Sequence, residues 1–257
     1  QQAAARAAAV AANAAHADLQ RLAQFVQRQV GRITDITVTL DSHQRYDIAH
    51  PSFWRKADGS AVSPFTPIAA AQVRSGEYAP RDAHAIERVL DSLDALEAQN
   101  RYQLMVWPVH CEIGNWGHGV HAEVLAACGA WQLAGHKAVR SIFKGMNPWT
   151  ENYSAIRAEV PDPADPTTQT HTPLLLSLAE ADQLIIAGEA SSHCVRSTTE
   201  HIVEMLPKLV ASWTPARVTL LTDCMSPVGG FEREHAAFLE SMHTQGVRLA
   251  QSSELAL

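Results

Sequence analysis

Helix-period and strand-like segments alternate along this chain with almost no exception, and that alternation narrows the fold more than any other feature. Apolar residues at helical spacing run through Leu19, Leu22, Phe25, Val26 and Val30, with Asp18 as the expected N-cap and Gly31 as the stop. The β-branched run 33–40 then reads as a strand. The same pairing recurs as helix 83–100 with strand 103–107, helix 120–133 with strand 139–143, and helix 174–181 with strand 184–188. A helix running from Cys194 towards Trp213, interrupted or kinked at Pro207, precedes strand 218–222, and helix 231–245 precedes strand 247–250. Such a pattern buries both faces of a mostly parallel sheet under helices, so the expected fold class is α/β, a three-layer α/β/α sandwich.

Two stretches interrupt the alternation. Residues 41–83 carry Pro51, Gly59, Pro64, Pro67 and Gly76 with little periodicity, which predicts a long ordered excursion. Residues 161–173 form a proline-rich loop. Before Asp18 the first 17 residues hold eleven alanines, which favour helix without specifying a buried face.

A chain of 257 residues with 46% hydrophobic content can bury a full core, and one domain spanning 1–257 is expected. Its net charge of -7 argues against a nucleic-acid or anionic-membrane partner, either of which calls for a basic face, and a small neutral or cationic ligand fits better. Four cysteines without a CxxC pair point to a reducing compartment rather than a disulfide framework. No apolar run approaches the roughly 20 residues of a membrane span, so the chain reads as cytoplasmic.

In open α/β sheets ligands bind beyond the carboxyl ends of the strands. Asp41 and His43 follow the first strand, Trp107 and His110 the second, Lys144 the third and Cys194 the fourth. Asp41, His43, His50 and His110 make an oxygen-nitrogen set that suits Zn, Fe(II) or Mn(II) without singling out one. Cys194 opens a helix after a turn of small residues, where the helix terminus favours a thiolate and backbone N–H groups can hold an oxyanion. Lys144 at a strand end would favour that thiolate, and Trp107 can stack on a flat substrate. Each also has a plainer reading: a buried thiol, solvated histidines and lysine, a core tryptophan.

Together these segments resemble the nicotinamidase branch of the isochorismatase-like cysteine hydrolases. Asp41-Ser42-His43 and His50-Pro51-Ser52-Phe53 are similar to its metal segment, and Trp107-Pro108-Val109-His110-Cys111 to its W-P-x-H-C segment. Phe143-Lys144-Gly145 with Tyr153-Ser154 is similar to its lysine segment, and 188–196 to its nucleophile segment. The resemblance implies the isochorismatase-like fold in a single domain, with insertions near 54–80 and 148–173 that can form a lid or a subunit contact. It implies Cys194 as nucleophile beside Lys144, an oxyanion hole from the N–H groups of Ala190 and Cys194, and a cis Glu189-Ala190 peptide. Asp41, His43 and His110 would bind the metal, with His50 as a further ligand, while Trp107, Tyr153 and Ala190 would meet the substrate. The implied reaction is nicotinamide plus water to nicotinate plus ammonia through a thioester, in a homo-oligomer. Another small amide, carbamoyl or ureido substrate fits the same chemistry.

One family element has no counterpart. Members open with a strand ending in a D-x-Q-N-x-F-like motif whose Asp is the general base, and neither Asp18 nor Asp35 substitutes for it. The expectation is that such a strand precedes Gln1. The alternatives are a metal-independent cysteine hydrolase of another C–N or vinyl-ether substrate, and a catalytically inactive binding homologue.

Overall fold

The structure is a computed structural model that describes the backbone from residue 2 and the side chains from residue 12. In chain order the elements are α1 (Gln2–Arg28), β1 (Thr37–Asp41), β2 (Trp54–Lys56), β3 (Thr66–Ile68), α2 (Ala70–Arg74), β4 (Tyr78–Pro80), α3 (Ile86–Ala98) and β5 (Leu104–Val106). They continue as α4 (Ala122–Gly135), β6 (Arg140–Lys144), α5 (Thr172–Ala179), β7 (Leu184–Ile186), α6 (Cys194–Leu209), β8 (Val218–Leu221), α7 (Glu232–Thr244) and β9 (Arg248–Ala250). The fold is mixed α/β, as the alternation predicts. None of its helices is long and apolar enough to cross a membrane, among the described residues.

Contacts divide the chain into two units. One comprises the residues up to Val38, Val120–Ile142 and His171–Leu257. Its β7, β8 and β9 form a parallel sheet in that order, with Leu184 opposite Val218 and Leu221 opposite Ala250. All four residues of β8 are buried, which is what a central strand covered on both faces requires. Ala23 and Val26 of α1 pack with Val124, Ala127 and Cys128 of α4, while Phe25 faces Leu221, Cys224 and Leu255.

Asp18 is not an N-cap. It lies well inside α1 and is buried, receiving hydrogen bonds from Arg21 and from the Ser226 hydroxyl. Alanine loses the least on entering a helix, so the tract before Asp18 carries the helix back to Gln2.

The other unit comprises Thr39–Gly119 and Phe143–Thr170. Its core gathers Phe53, Trp54, Ile68, Val89, Leu93, Leu104 and Val106. The excursion after β1 is structured in a way periodicity does not reveal. β2 pairs antiparallel with β4, and β3 antiparallel with β5, in three-residue ladders. The strand before Trp107 therefore belongs to a local antiparallel pair rather than to a parallel sheet, because β3 supplies its partner from within the excursion. β1 pairs with β6, and the bond from Ser42 N–H to the Lys144 carbonyl (2.8 Å) ties their carboxyl ends together.

Candidate functional site

In the second unit, the ends of β1 and β6 and the segment after β5 bring the expected metal residues together. His43 N–H donates to the Cys111 carbonyl (3.0 Å) and Ile113 N–H donates to the His43 carbonyl (3.0 Å), so the chain after His110 is laced directly to the chain after Asp41. Asp41, His43 and His110 each offer a ligand atom, and these atoms lie within 4.8 Å of one another. His43 Nε2 is 3.2 Å from Asp41 Oδ2, and His110 Nε2 is 3.6 Å from the same oxygen. His50 stands beside them, its Nε2 3.2 Å from His110 Nδ1 and its Nδ1 3.1 Å from the Gln44 carbonyl.

The donor set fits a divalent transition metal. One carboxylate and two imidazoles are a borderline-hard set suited to Zn, Fe(II) or Mn(II). His43 Nε2 is buried, and the polar group it faces is the Asp41 carboxylate, so nitrogen and oxygen point into the same small space. Gly145 completes the cradle. Its φ of +80° suits glycine, and a Cβ there would lie 2.9 Å from Asp41 Oδ1 and 3.3 Å from His43 Cε1.

The electrostatics of this cluster are those of carboxylates paired with cationic side chains. Burial works against a charged Asp41, but the Lys144 ammonium and hydrogen bonds from His110 and His43 hold its carboxyl well below the usual range. Burial likewise works against a charged His43, yet Asp41 and Asp47 outweigh it and hold the ring at about 10. Lys144 is buried, and its Nζ donates to Asp41 Oδ1 (2.8 Å) and to the Asn152 carbonyl (2.7 Å). Trp107 is buried as well, its Nε1 donating to the Tyr153 hydroxyl (3.1 Å). Lys144, Trp107 and Tyr153 are thus structured in this unit together with the ligand set.

Cys194 and Ala190 belong to the other unit, at the start of α6. The Glu189–Ala190 peptide is cis, as the resemblance implies. The Ala190 carbonyl accepts from both His193 N–H and Val195 N–H, each at 3.1 Å, which closes the turn into the helix. A second set of bonds holds the turn from the segment after β8. Gly188 N–H donates to the Cys224 carbonyl (2.9 Å), Ser191 N–H to the Ser226 carbonyl (2.9 Å), and Val228 N–H to Ser192 Oγ (3.0 Å). Ser226 N–H in turn donates to Glu189 Oε2 (3.1 Å).

Around this turn two groups have shifted acidity. Burial above all pushes the Glu189 carboxyl up to about 8; the Ser226 N–H opposes the rise and the Asp18 carboxylate adds to it. Burial, helped by Arg196, holds His193 down at about 4. The consequence of Glu189 for stability has a definite sign. Its folded pKa lies above the unfolded 4.5, so the folded state binds the extra proton between these values. Stability contributed by this carboxyl is complete below pH 4.5 and declines as pH rises towards 8. Urea midpoints measured from pH 5 to 8.5 should fall with pH, and Glu189→Gln should flatten the slope. An unchanged slope in the variant would remove Glu189 as its source.

Asp47 and Ser226 carry no sequence motif: Asp47 meets His43 within its own loop, and Ser226 meets Asp18 and Glu189 only through tertiary structure. Gly145 offered a signal, since a glycine directly after the strand-end lysine marks a tight backbone position.

The sequence matches no protein-family model and no curated protein. Solved structures do match. A nicotinamidase/pyrazinamidase of Acinetobacter baumanii aligns with a TM-score of 0.58 at 20% identity, over 91% of this chain and 84% of that one. The yeast nicotinamidase aligns with a TM-score of 0.56 at 18% identity, over 92% of this chain and 87% of that one. This chain shares its fold with these nicotinamidases. The yeast enzyme bound to the inhibitor nicotinaldehyde superposes on that same fold with a TM-score of 0.53 at 18% identity, over 84% of this chain and 79% of that one. Identity this low leaves the chemistry to be argued from the residues themselves.

Proposed function

We propose that this protein is an amidohydrolase that converts nicotinamide, or a similar small amide, to the acid and ammonia. The observation that carries the reading is the convergence of Asp41, His43 and His110 in a chain that shares its fold with nicotinamidases. Cys194 is the nucleophile. Its thiolate attacks the amide carbonyl carbon, the C–N bond breaks, and the amine leaves as ammonia after taking up a proton. Water then cleaves the thioester, which releases the acid and restores the thiol. The N–H groups of Ala190 and Cys194 hold the oxyanion, and Trp107 and Tyr153 meet the substrate ring.

Asp41, His43 and His110 would hold the metal, with His50 contributing from beside them. A bound Zn, Fe(II) or Mn(II) would supply a Lewis acid that holds the substrate's ring nitrogen or a water near it. Lys144 holds the Asp41 carboxyl in its ionised form and fixes one of its oxygens. The chain works, in this reading, as one hydrolase domain.

The test is ammonia release from nicotinamide by the purified protein, with its metal content measured on the same sample. Steady release together with near-stoichiometric Zn, Fe or Mn is expected. Protein that carries the metal but releases no ammonia from nicotinamide or from a panel of small aromatic amides would exclude the amidohydrolase reading.

A further inference from the structure

Asp47 lies outside every segment that carries the resemblance, yet it is held beside His43 at full burial. Both side chains are about 1% exposed, and Asp47 Oδ2 is 3.0 Å from His43 Nδ1. The other oxygen, Oδ1, accepts from Ala49 N–H (3.0 Å), so the carboxylate uses both oxygens and is fixed against rotation. The His43 backbone is fixed too, by its bonds to the Cys111 carbonyl and the Ile113 N–H.

We propose that Asp47 is a positioning residue of the metal centre, setting the tautomer and the ring orientation of His43 so that Nε2 presents its lone pair towards Asp41 and His110. This rests on the metal reading given above. The chemistry follows from the inventory of donors and acceptors. A carboxylate can only accept, so a neutral His43 facing Asp47 must carry its hydrogen on Nδ1. Its lone pair is then on Nε2, the buried nitrogen 3.2 Å from Asp41 Oδ2, on the side where His110 also lies. Metal-ligating histidines commonly donate their second ring N–H to a carboxylate, which raises ligand basicity and fixes the ring. Here the carboxylate comes from the same loop, four residues on, so ligand and holder are built as one piece.

Asp47→Asn tests this with little change of shape. The amide oxygen can still accept from Ala49 N–H, but its NH₂ can only donate to Nδ1, which places the hydrogen on Nε2 where a metal must bind. Zinc affinity is measured by competition with a chromophoric chelator, and the cobalt(II)-loaded protein is compared by its visible spectrum. The expected result is zinc binding about 10- to 100-fold weaker than wild type and a changed cobalt spectrum. In a His43→Ala background the same substitution should weaken zinc no further, because Asp47 acts through His43. Zinc binding by Asp47→Asn equal to wild type, or an additive loss in the His43→Ala background, would overturn the proposal while leaving the metal reading intact. Wild-type protein that binds no zinc or cobalt would overturn both. Should the Asn variant not fold, Asp47→Ser, which also removes the carboxylate, is expected to give the same weakening and serves in its place.

Discussion

Cys194→Ala should lower ammonia release from nicotinamide by at least about 10⁴-fold, the scale on which removing a nucleophile disables a covalent mechanism. Folding should survive the change, because Cys194 is only half-buried at the first turn of α6 and the turn before it is held by backbone bonds. The other thiols are poor substitutes. Burial pushes Cys224 up to about 12 and Cys111 up to about 11, Asp223 adding to the first and Asp41 to the second, and burial raises Cys128 as well. None of them is poised to ionise near neutral pH. Turnover is followed by ammonia assay and folding by thermal melting of the same preparations. A variant that melts like wild type and retains its rate would end the nucleophile assignment.

The second large effect is on stability. Lys144→Met should destabilise the metal-free protein by about 3 kcal/mol, because it leaves the Asp41 carboxylate without its ammonium partner in a mostly buried setting. For a chain of this size that corresponds to a drop of very roughly 6–12 °C in thermal midpoint. It also abandons the Asn152 carbonyl, which receives the second Lys144 hydrogen bond. Added zinc should recover part of the loss, since a divalent cation on Asp41, His43 and His110 neutralises the same charge. A midpoint unchanged by the substitution would show that the pair contributes nothing net.

What the sequence made legible followed from local pattern. Helix periodicity placed α3, α4, α6 and α7 within a few residues, and the β-branched runs placed β1, β6, β8 and β9. The residues of the metal set were legible too, because a carboxylate and imidazoles at two segment ends suggest coordination chemistry even before any contact is known. The failures have physical causes. An alanine tract propagates a helix without a periodic signal, so α1 starts near the beginning of the chain rather than at Asp18. β2, β3 and β4 are three residues each, too short for an alternation to register, and their stability comes from partners such as Pro80 opposite Trp54 and Val106 opposite Thr66. Asp47, Glu189 and Ser226 look like ordinary polar residues in the sequence. Their roles come from burial and from neighbours distant or hidden in a turn, such as Ser226 with Asp18 across most of the chain.

The bonds that hold the turn before Cys194 bear on the order in which this region is completed during synthesis. Three of the groups that fix it, the Cys224 carbonyl, the Ser226 carbonyl and the Val228 N–H, are made some 30–40 residues after the turn itself. A nascent chain that has emerged through α6 but not through Val228 has its thiol without the mould that shapes the approach to it. The turn is therefore completed late in translation, and in the proposed function the surroundings of the nucleophile are finished only then.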